Sequence, residues 1–418
     1  MLQSVCLIVL SLSQPSPIGQ FGYCVSLIPD LDGDKLPDLA ISDPLWVGVQ
    51  GGQGRVGLIS SRTGVLLDHF DGDQSHARFG AALLLTTEEG GIPAQLLIGA
   101  PSFRQNGEMV GAVYSLQLGE ARRIRLFARG EQEGELFGYC MRQAGNLTAE
   151  CAHSILIGCP GFKSKDAIVG RVAGYSLESG KECFDVLGSS ATSIGRQVSD
   201  IGDVFGRPGI AFASDSYVGS ENAFLPTLGS ENRLGRCVLP ITEQVKGLFP
   251  YCVVLQKRTS GNPRLLVSCY VDPGSADARG HIYVIEGGKV IARLDEETLN
   301  SGFGTVIYAC DDYDADGCPD IVVGTPDDGG VMPRGGFRVY SGAKLTLIGE
   351  RKGDSPTDSM GSYIAGGFDY DADGVPDIIV SCVNTRSPQP GIRGKVKIIS
   401  GKNIQQTLRV LESPVETK

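Results

Sequence analysis

A short element recurs along this chain at a nearly constant interval, and the interval limits what the chain can fold into. Phe21-Gly22, Phe79-Gly80, Phe137-Gly138, Ile194-Gly195, Phe249-Pro250, Phe303-Gly304 and Met360-Gly361 open successive units. Their second positions are 58, 58, 57, 55, 54 and 57 residues apart, and Gly361 stands 57 residues from the C-terminus. A period this regular means that one supersecondary unit is repeated and that each copy buries its apolar face against the next.

Within a unit the same order returns. A strand follows the opening pair, and an apolar run comes next, such as Leu39-Ala-Ile-Ser-Asp-Pro44 or Leu97-Ile-Gly-Ala-Pro101. A Gly-led strand follows, as in Gly54-Arg-Val-Gly-Leu-Ile-Ser60 and Gly394-Lys-Val-Lys-Ile-Ile-Ser400, and then a last strand such as Val65-Leu-Leu-Asp-His-Phe70. Glycine and proline punctuate these runs, and no stretch sustains helical amphipathic spacing. Four short strands per unit predict an all-β, seven-bladed β-propeller of four-stranded antiparallel blades, with blades starting near residues 21, 79, 137, 194, 249, 303 and 360. Closure into a ring leaves only short sheet edges. A linear β-solenoid is the alternative, but its repeats are normally shorter than four strands.

Three units carry a dense acidic loop between their first two strands. These are Asp30-Leu-Asp-Gly-Asp-Lys-Leu-Pro-Asp38, Asp312-Tyr-Asp-Ala-Asp-Gly-Cys-Pro-Asp320 and Asp369-Tyr-Asp-Ala-Asp-Gly-Val-Pro-Asp377. Carboxylates at positions 1, 3, 5 and 9 repel one another unless a cation sits among them. The proposed ligands are Asp30, Asp32, Asp34, Leu36 and Asp38; Asp312, Asp314, Asp316, Cys318 and Asp320; and Asp369, Asp371, Asp373, Val375 and Asp377. Leu36, Cys318 and Val375 enter through their carbonyls. About six oxygens per loop suit Ca²⁺ better than Mg²⁺, which keeps more of its water. The first loop has Lys35 where the others have Gly317 and Gly374, with Gly33 two residues earlier. A solvated Asx turn is the competing explanation for any single loop. The other units have lost these carboxylates, and the three that keep them are neighbours if the ring closes.

Net charge is −11, and the three loops hold 12 aspartates. The remaining surface is therefore near neutral, which argues against a nucleic-acid partner. Residues 1–18 read either as a short secretory signal or as a strand that closes the ring, and their apolar run is too short to span a membrane. Twelve cysteines are many for a cytosolic chain of 418 residues. Their positions allow bridges Cys140–Cys159, Cys252–Cys269 and Cys310–Cys318, or small buried thiols instead.

The Phe-Gly openings, Gly99-Ala-Pro101 and the Asp-x-Asp-x-Asp-Gly-x-x-Asp loops resemble FG-GAP repeats, those of the integrin α-subunit head and of bacterial stand-alone propellers. The resemblance covers residues 19–418 and is strongest in units one, six and seven. It implies a propeller with about three Ca²⁺ ions in the loops joining the first two strands of a blade. It also implies an extracellular or cell-surface setting.

The expected role is non-catalytic: binding, adhesion or scaffolding. The four histidines, His69, His76, His153 and His281, fall at unrelated repeat positions, and no nucleophile elbow or phosphate loop occurs. The expected partner is a protein or glycan on the face opposite the calcium loops. Trp46, the single tryptophan, is a candidate anchor there, with packing between blades as the alternative. A carbohydrate-binding lectin and a calcium-dependent polysaccharide-acting enzyme are the other readings.

Overall fold

The computed structural model describes residues 20–48, 51–88, 91–119, 121–144, 153–188, 194–202, 209–214, 224–228, 234–238, 248–271, 279–287, 289–327, 333–383 and 394–412. Side chains are described for these except 200–251 and 270–271. Residues 1–18, and with them the choice between signal and closing strand, lie outside this set.

All regular structure among the described residues is β. Repeat one forms β1 (Val25–Ile28), β2 (Asp38–Asp43), β3 (Arg55–Ile59) and β4 (Leu66–Asp71). Repeat two forms β5 (Ala82–Leu85), β6 (Gln95–Ala100), a small hairpin of β7 (Arg104–Gln105) and β8 (Glu108–Met109), then β9 (Ala112–Gln117) and β10 (Arg123–Arg129). Repeat three repeats this plan with β11 (Cys140–Gln143), β12 (Ser154–Cys159), the hairpin β13 (Lys163–Ser164) and β14 (Ala167–Ile168), β15 (Arg171–Ser176) and β16 (Glu182–Leu187). Repeat four has β17 (Ile194–Gly202), β18 (Gly209–Ser214), β19 (Phe224–Leu228) and β20 (Leu234–Val238). Repeat five has β21 (Leu248–Gln256), β22 (Arg264–Val271), β23 (Gly280–Glu286) and β24 (Lys289–Asp295). Repeat six has β25 (Ile307–Tyr308), β26 (Ile321–Gly324), β27 (Gly336–Tyr340) and β28 (Leu347–Lys352). Repeat seven has β29 (Met360–Phe368), β30 (Asp377–Cys382), β31 (Lys395–Ile399) and β32 (Thr407–Glu412).

Each blade is an antiparallel meander, for example β1-β2-β3-β4 with Leu39 opposite Ile59 and Val56 opposite Phe70. Its second and third strands are buried on both faces, so they read as apolar runs. The fourth strand is half exposed.

The expectation of seven blades is corrected: the chain is an all-β, six-bladed β-propeller of four-stranded antiparallel blades, not seven. The departure falls on repeat four. Its strands follow one another in the order β17-β18-β19-β20, but among the described residues β18 and β19 share a single residue pair, Gly209↔Thr227. They do not make a continuous ladder of the kind found in the other blades. The period counted repeats, and a repeat becomes a blade only when its middle strands pair along their length.

By contact, the chain divides into two compact units, Met1–Leu85 with Asn300–Lys418, and Thr86–Leu299. The first unit contains the blades of repeats six, seven and one. Its last and first blades meet directly. Gly394, just before β31, has φ 89°, and a Cβ there would overlap the Phe21 carbonyl. Arg409 Nη1 also donates to the Ser61 carbonyl at 2.8 Å. The same device joins other neighbours, for Gly111 bridges to Phe137 and Gly335 to Met360. The repeated Gly-led strand and the opening aromatic are thus two sides of one inter-blade contact. Close backbone approach there leaves no room for a side chain.

In the second unit, Cys140, Leu156, Val172 and Val186 of repeat three pack with Ile194 and Val198 of β17. Beside that core, Arg171 Nη1 lies 2.9 Å from the fully buried Glu135 and also holds Glu182 and Asp185. Glu135 in turn accepts the N–H groups of Glu131 and Gln132 at 2.9 and 3.2 Å.

The three bridges allowed by the sequence are not formed. Cys140, Cys159, Cys252, Cys269, Cys310 and Cys318 are thiols. Cys140 stands opposite Gly158 and Cys252 opposite Ser268, so each intended partner lies one residue further along. One residue along a strand turns the side chain to the other face. Cys183 is in a disulfide.

Candidate metal centres

The acidic loops connect β1 to β2, β25 to β26 and β29 to β30, which is the same turn of three blades. Their ninth residues, Asp38, Asp320 and Asp377, are fully buried, whereas the first five positions are more open to solvent. Each buried carboxylate ties two segments together. Asp320 accepts from Tyr313 N–H at 2.8 Å, Asp314 N–H at 3.1 Å and Gly342 N–H at 2.7 Å. Asp377 accepts from Tyr370 N–H at 2.7 Å and Gly401 N–H at 3.0 Å. Asp38 does the same with Leu31 and Ser61 at 2.8 and 3.2 Å.

The first carboxylate of each loop caps its far side. Asp312 accepts from Gly317 N–H at 2.7 Å, Asp369 from Gly374 N–H at 2.8 Å, and Asp30 from Lys35 N–H at 2.7 Å. The carboxylate at position five, Asp34, Asp316 or Asp373, accepts the N–H of Leu36, Cys318 or Val375 at 2.8 to 3.0 Å. These Asx turns fix the peptide whose carbonyl was assigned as a ligand.

The structure also explains why the first loop departs from the pattern. Every loop enters the left-handed region twice, at positions 4 and 6. The residues are Gly33 (φ 84°) and Lys35 (70°), Ala315 (57°) and Gly317 (84°), and Ala372 (60°) and Gly374 (90°). Glycine relieves one of the two positions in each loop, but not the same one.

Ligand atoms of Asp312, Asp314, Asp316 and Asp320 all lie within 4.8 Å of one another, as do those of Asp30, Asp32 and Asp38, and those of Asp369, Asp371 and Asp377. Oxygens bound to one Ca²⁺ at about 2.4 Å are at most about 4.8 Å apart, so the spacing fits that ion. Asp34 and Asp373 fall outside these groups. Asp34 is turned toward Arg62, whose Nε is 2.8 Å away. Burial raises the carboxyls of Asp320 and Asp377 to about 6 and pushes Asp38 in the same direction. Asp30 is lowered, first by the Lys35 N–H. A hard cation among these oxygens would offset the cost of ionising the buried ninth carboxylate.

Sequence reasoning passed over the second loop position. Tyr313 lies against the turn of the next blade, where a Cβ on Gly401 would meet its ring at 3.0 Å. Gly401 N–H is the donor to Asp377. Tyr370 Oη is 3.4 Å from the Pro37 carbonyl of the first loop. Tyr370 thus reaches the next acidic loop and Tyr313 the turn that donates to one, and their matching positions were the signal available in the sequence.

Trp46 is 7% exposed. The Arg55 guanidinium stacks 4.0 Å from its ring centroid and pairs with Asp71 at 2.5 Å. The ring is packed within the first blade beside Phe21, Ile41 and Leu66, and is not the exposed anchor considered from sequence.

No family profile matches the chain. It is similar to two integrin α subunits. Integrin alpha-7 of Rattus norvegicus is 25% identical over 288 residues, covering 61% of this chain and 24% of that protein. Integrin alpha-6 of Gallus gallus is 28% identical over 296 residues, covering 62% and 27%. The match therefore spans about a quarter of the length of these curated relatives. Among solved structures, Chaetomium thermophilum Sqt1, bound to the N-terminus of ribosomal protein L10, superposes with a TM-score of 0.51 at 12% identity, covering 95% of this chain and 88% of that one. That likeness concerns the fold alone. Together these findings describe an integrin-α-like β-propeller. The FG-GAP repeat itself has no profile match. Among the described residues, no helix is long and apolar enough to cross a membrane.

Proposed function

We propose that this propeller is a calcium-loaded binding or adhesion module of the cell surface or extracellular space, with a protein as its ligand and no catalytic centre. The observation that carries the reading is the recurrence of one oxygen cluster at the same turn of three blades in one compact unit. The integrin α relatives support the adhesive role, and the Cys183 disulfide suits an oxidising compartment.

Asp312, Asp314, Asp316 and Asp320 would hold one ion, with Asp30, Asp32 and Asp38 and then Asp369, Asp371 and Asp377 holding the others. Calcium there supplies positive charge that cancels carboxylate repulsion. The chain's own contribution is to fix the buried ninth carboxylate by backbone N–H groups from two segments. Isothermal titration of the chelator-treated protein tests this. About three calcium ions should bind, with Mg²⁺ weaker, and the melting temperature should rise on loading. Absence of binding heat together with an unchanged melting temperature would remove the reading.

A further inference from the structure

The outer strand of the second blade carries a surface unlike that of any other described blade. The segment 122–129 has Arg122, Arg123, Arg125 and Arg129 and no acidic residue, in a chain of net charge −11. Arg123, Arg125 and Arg129 are exposed on β10. They have no ion pair among the described residues. Elsewhere arginines hold carboxylates, as Arg55, Arg62, Arg171, Arg264 and Arg293 do. Of the other fourth strands, Lys289–Asp295, Leu347–Lys352 and Thr407–Glu412 mix both signs, and Leu66–Asp71 and Glu182–Leu187 carry only carboxylates.

β10 ends its sheet and pairs only with β9. Alternate N–H and C=O groups along it therefore point away from the sheet. Ile124 and Leu126, 38% and 42% exposed, lie on the face opposite Arg123 and Arg125, and a bulge at Phe127 brings Arg129 round to their side. They stand opposite Leu116 and Tyr114 across the ladder and so extend a buried apolar row to the edge.

We propose that β10 is a docking edge for an extended acidic segment of a partner protein, which adds as one more strand outside it. Acidic side chains of the incoming strand would face Arg123 and Arg125, and apolar ones would cover Ile124 and Leu126. The alternation on β10 selects this occupant, since strand addition reads side chains with a period of two. A second copy of the chain is disfavoured, because β10 paired with itself sets arginine against arginine. A sulfated polysaccharide would meet the arginines but use neither the backbone edge nor the apolar pair. The proposal goes beyond calcium loading, as β10 belongs to the unit without acidic loops.

The test uses the full chain and three fluorescent probes: a peptide of alternating glutamate and valine, a peptide of the same composition with its glutamates in one block, and a heparin oligosaccharide. Binding is read by anisotropy at about 0.15 M salt, with and without calcium. The alternating peptide should bind about tenfold or more tightly than the block peptide, and amides of β10 should exchange more slowly in its presence. The pairs Arg123→Glu with Arg125→Glu, and Arg123→Gln with Arg125→Gln, should each lose about tenfold in affinity while keeping the wild-type circular dichroism. Equal binding of the two peptides, retention of affinity in both folded variants, or binding of heparin alone would overturn the proposal. Loss of calcium binding without loss of peptide binding would count against the metal reading only.

Discussion

Replacing Asp320 by Asn separates the two opposing effects of the buried carboxylate. In the ion-free protein, burial raises this carboxyl from 3.8 to about 6. Holding it ionised at neutral pH then costs roughly 3 kcal/mol. Asparagine removes that cost but keeps one acceptor oxygen for three N–H donors, Tyr313, Asp314 and Gly342. The donors left short return about 1–2 kcal/mol of it. Ion-free Asp320→Asn should therefore be about 1–2 kcal/mol more stable than wild type. With calcium at a hundred times its dissociation constant, each occupied site stabilises wild type by about 2.7 kcal/mol, and the variant lacks that gain at this site. The two proteins should exchange order when calcium is added. Acid acts in the same sense. A carboxyl raised in the folded state contributes stability that is present below 3.8 and lost as pH rises through about 6. Ion-free wild type should thus gain on the variant as the pH falls from 7.4 to 4.5, about two orders of magnitude in free proton being needed to span the window. Differential scanning calorimetry with chelator and with calcium, at both pH values, reads all four states. A variant that melts below wild type by the same interval in every condition would refute the reasoning, since a purely structural hydrogen-bonding role predicts that result.

Lys35→Gly should remove left-handed strain at φ 70° and tighten the first calcium site by up to about fivefold, read as the change in that site's affinity by calorimetry. Gly394→Ala places a Cβ against the Phe21 carbonyl at φ 89°, and should destabilise the contact between the last and first blades by about 3 kcal/mol in denaturant unfolding. Glu135→Gln weakens the buried pair with Arg171 and should cost about 3 kcal/mol, with calcium affinity unchanged because the residue lies in the other unit.

The sequence by itself determined what is local. A cation loop brings its carboxylates together within nine residues, so Asp312 to Asp320 could be read as one site before any fold was known. The strand period and the Gly-led strands likewise announced blades, because turn chemistry and alternation are properties of neighbours in the chain. The loop at Asp30 was legible as a site, but the reason Lys35 is tolerated was not. It took the observation that all three loops turn left-handed twice.

Tertiary structure decided what depends on partners far apart in sequence. Whether a repeat becomes a blade rests on strand pairing, and among the described residues β18 and β19 pair at one position. Cysteines that look paired by repeat position lie one residue out of register, on opposite faces. Trp46 is buried because Arg55, brought back by the next strand, stacks on its ring. The arginines of β10 matter because the sheet ends there. Register, burial and edges are set by long-range contacts, and a repeat period specifies spacing along the chain without specifying which contacts close.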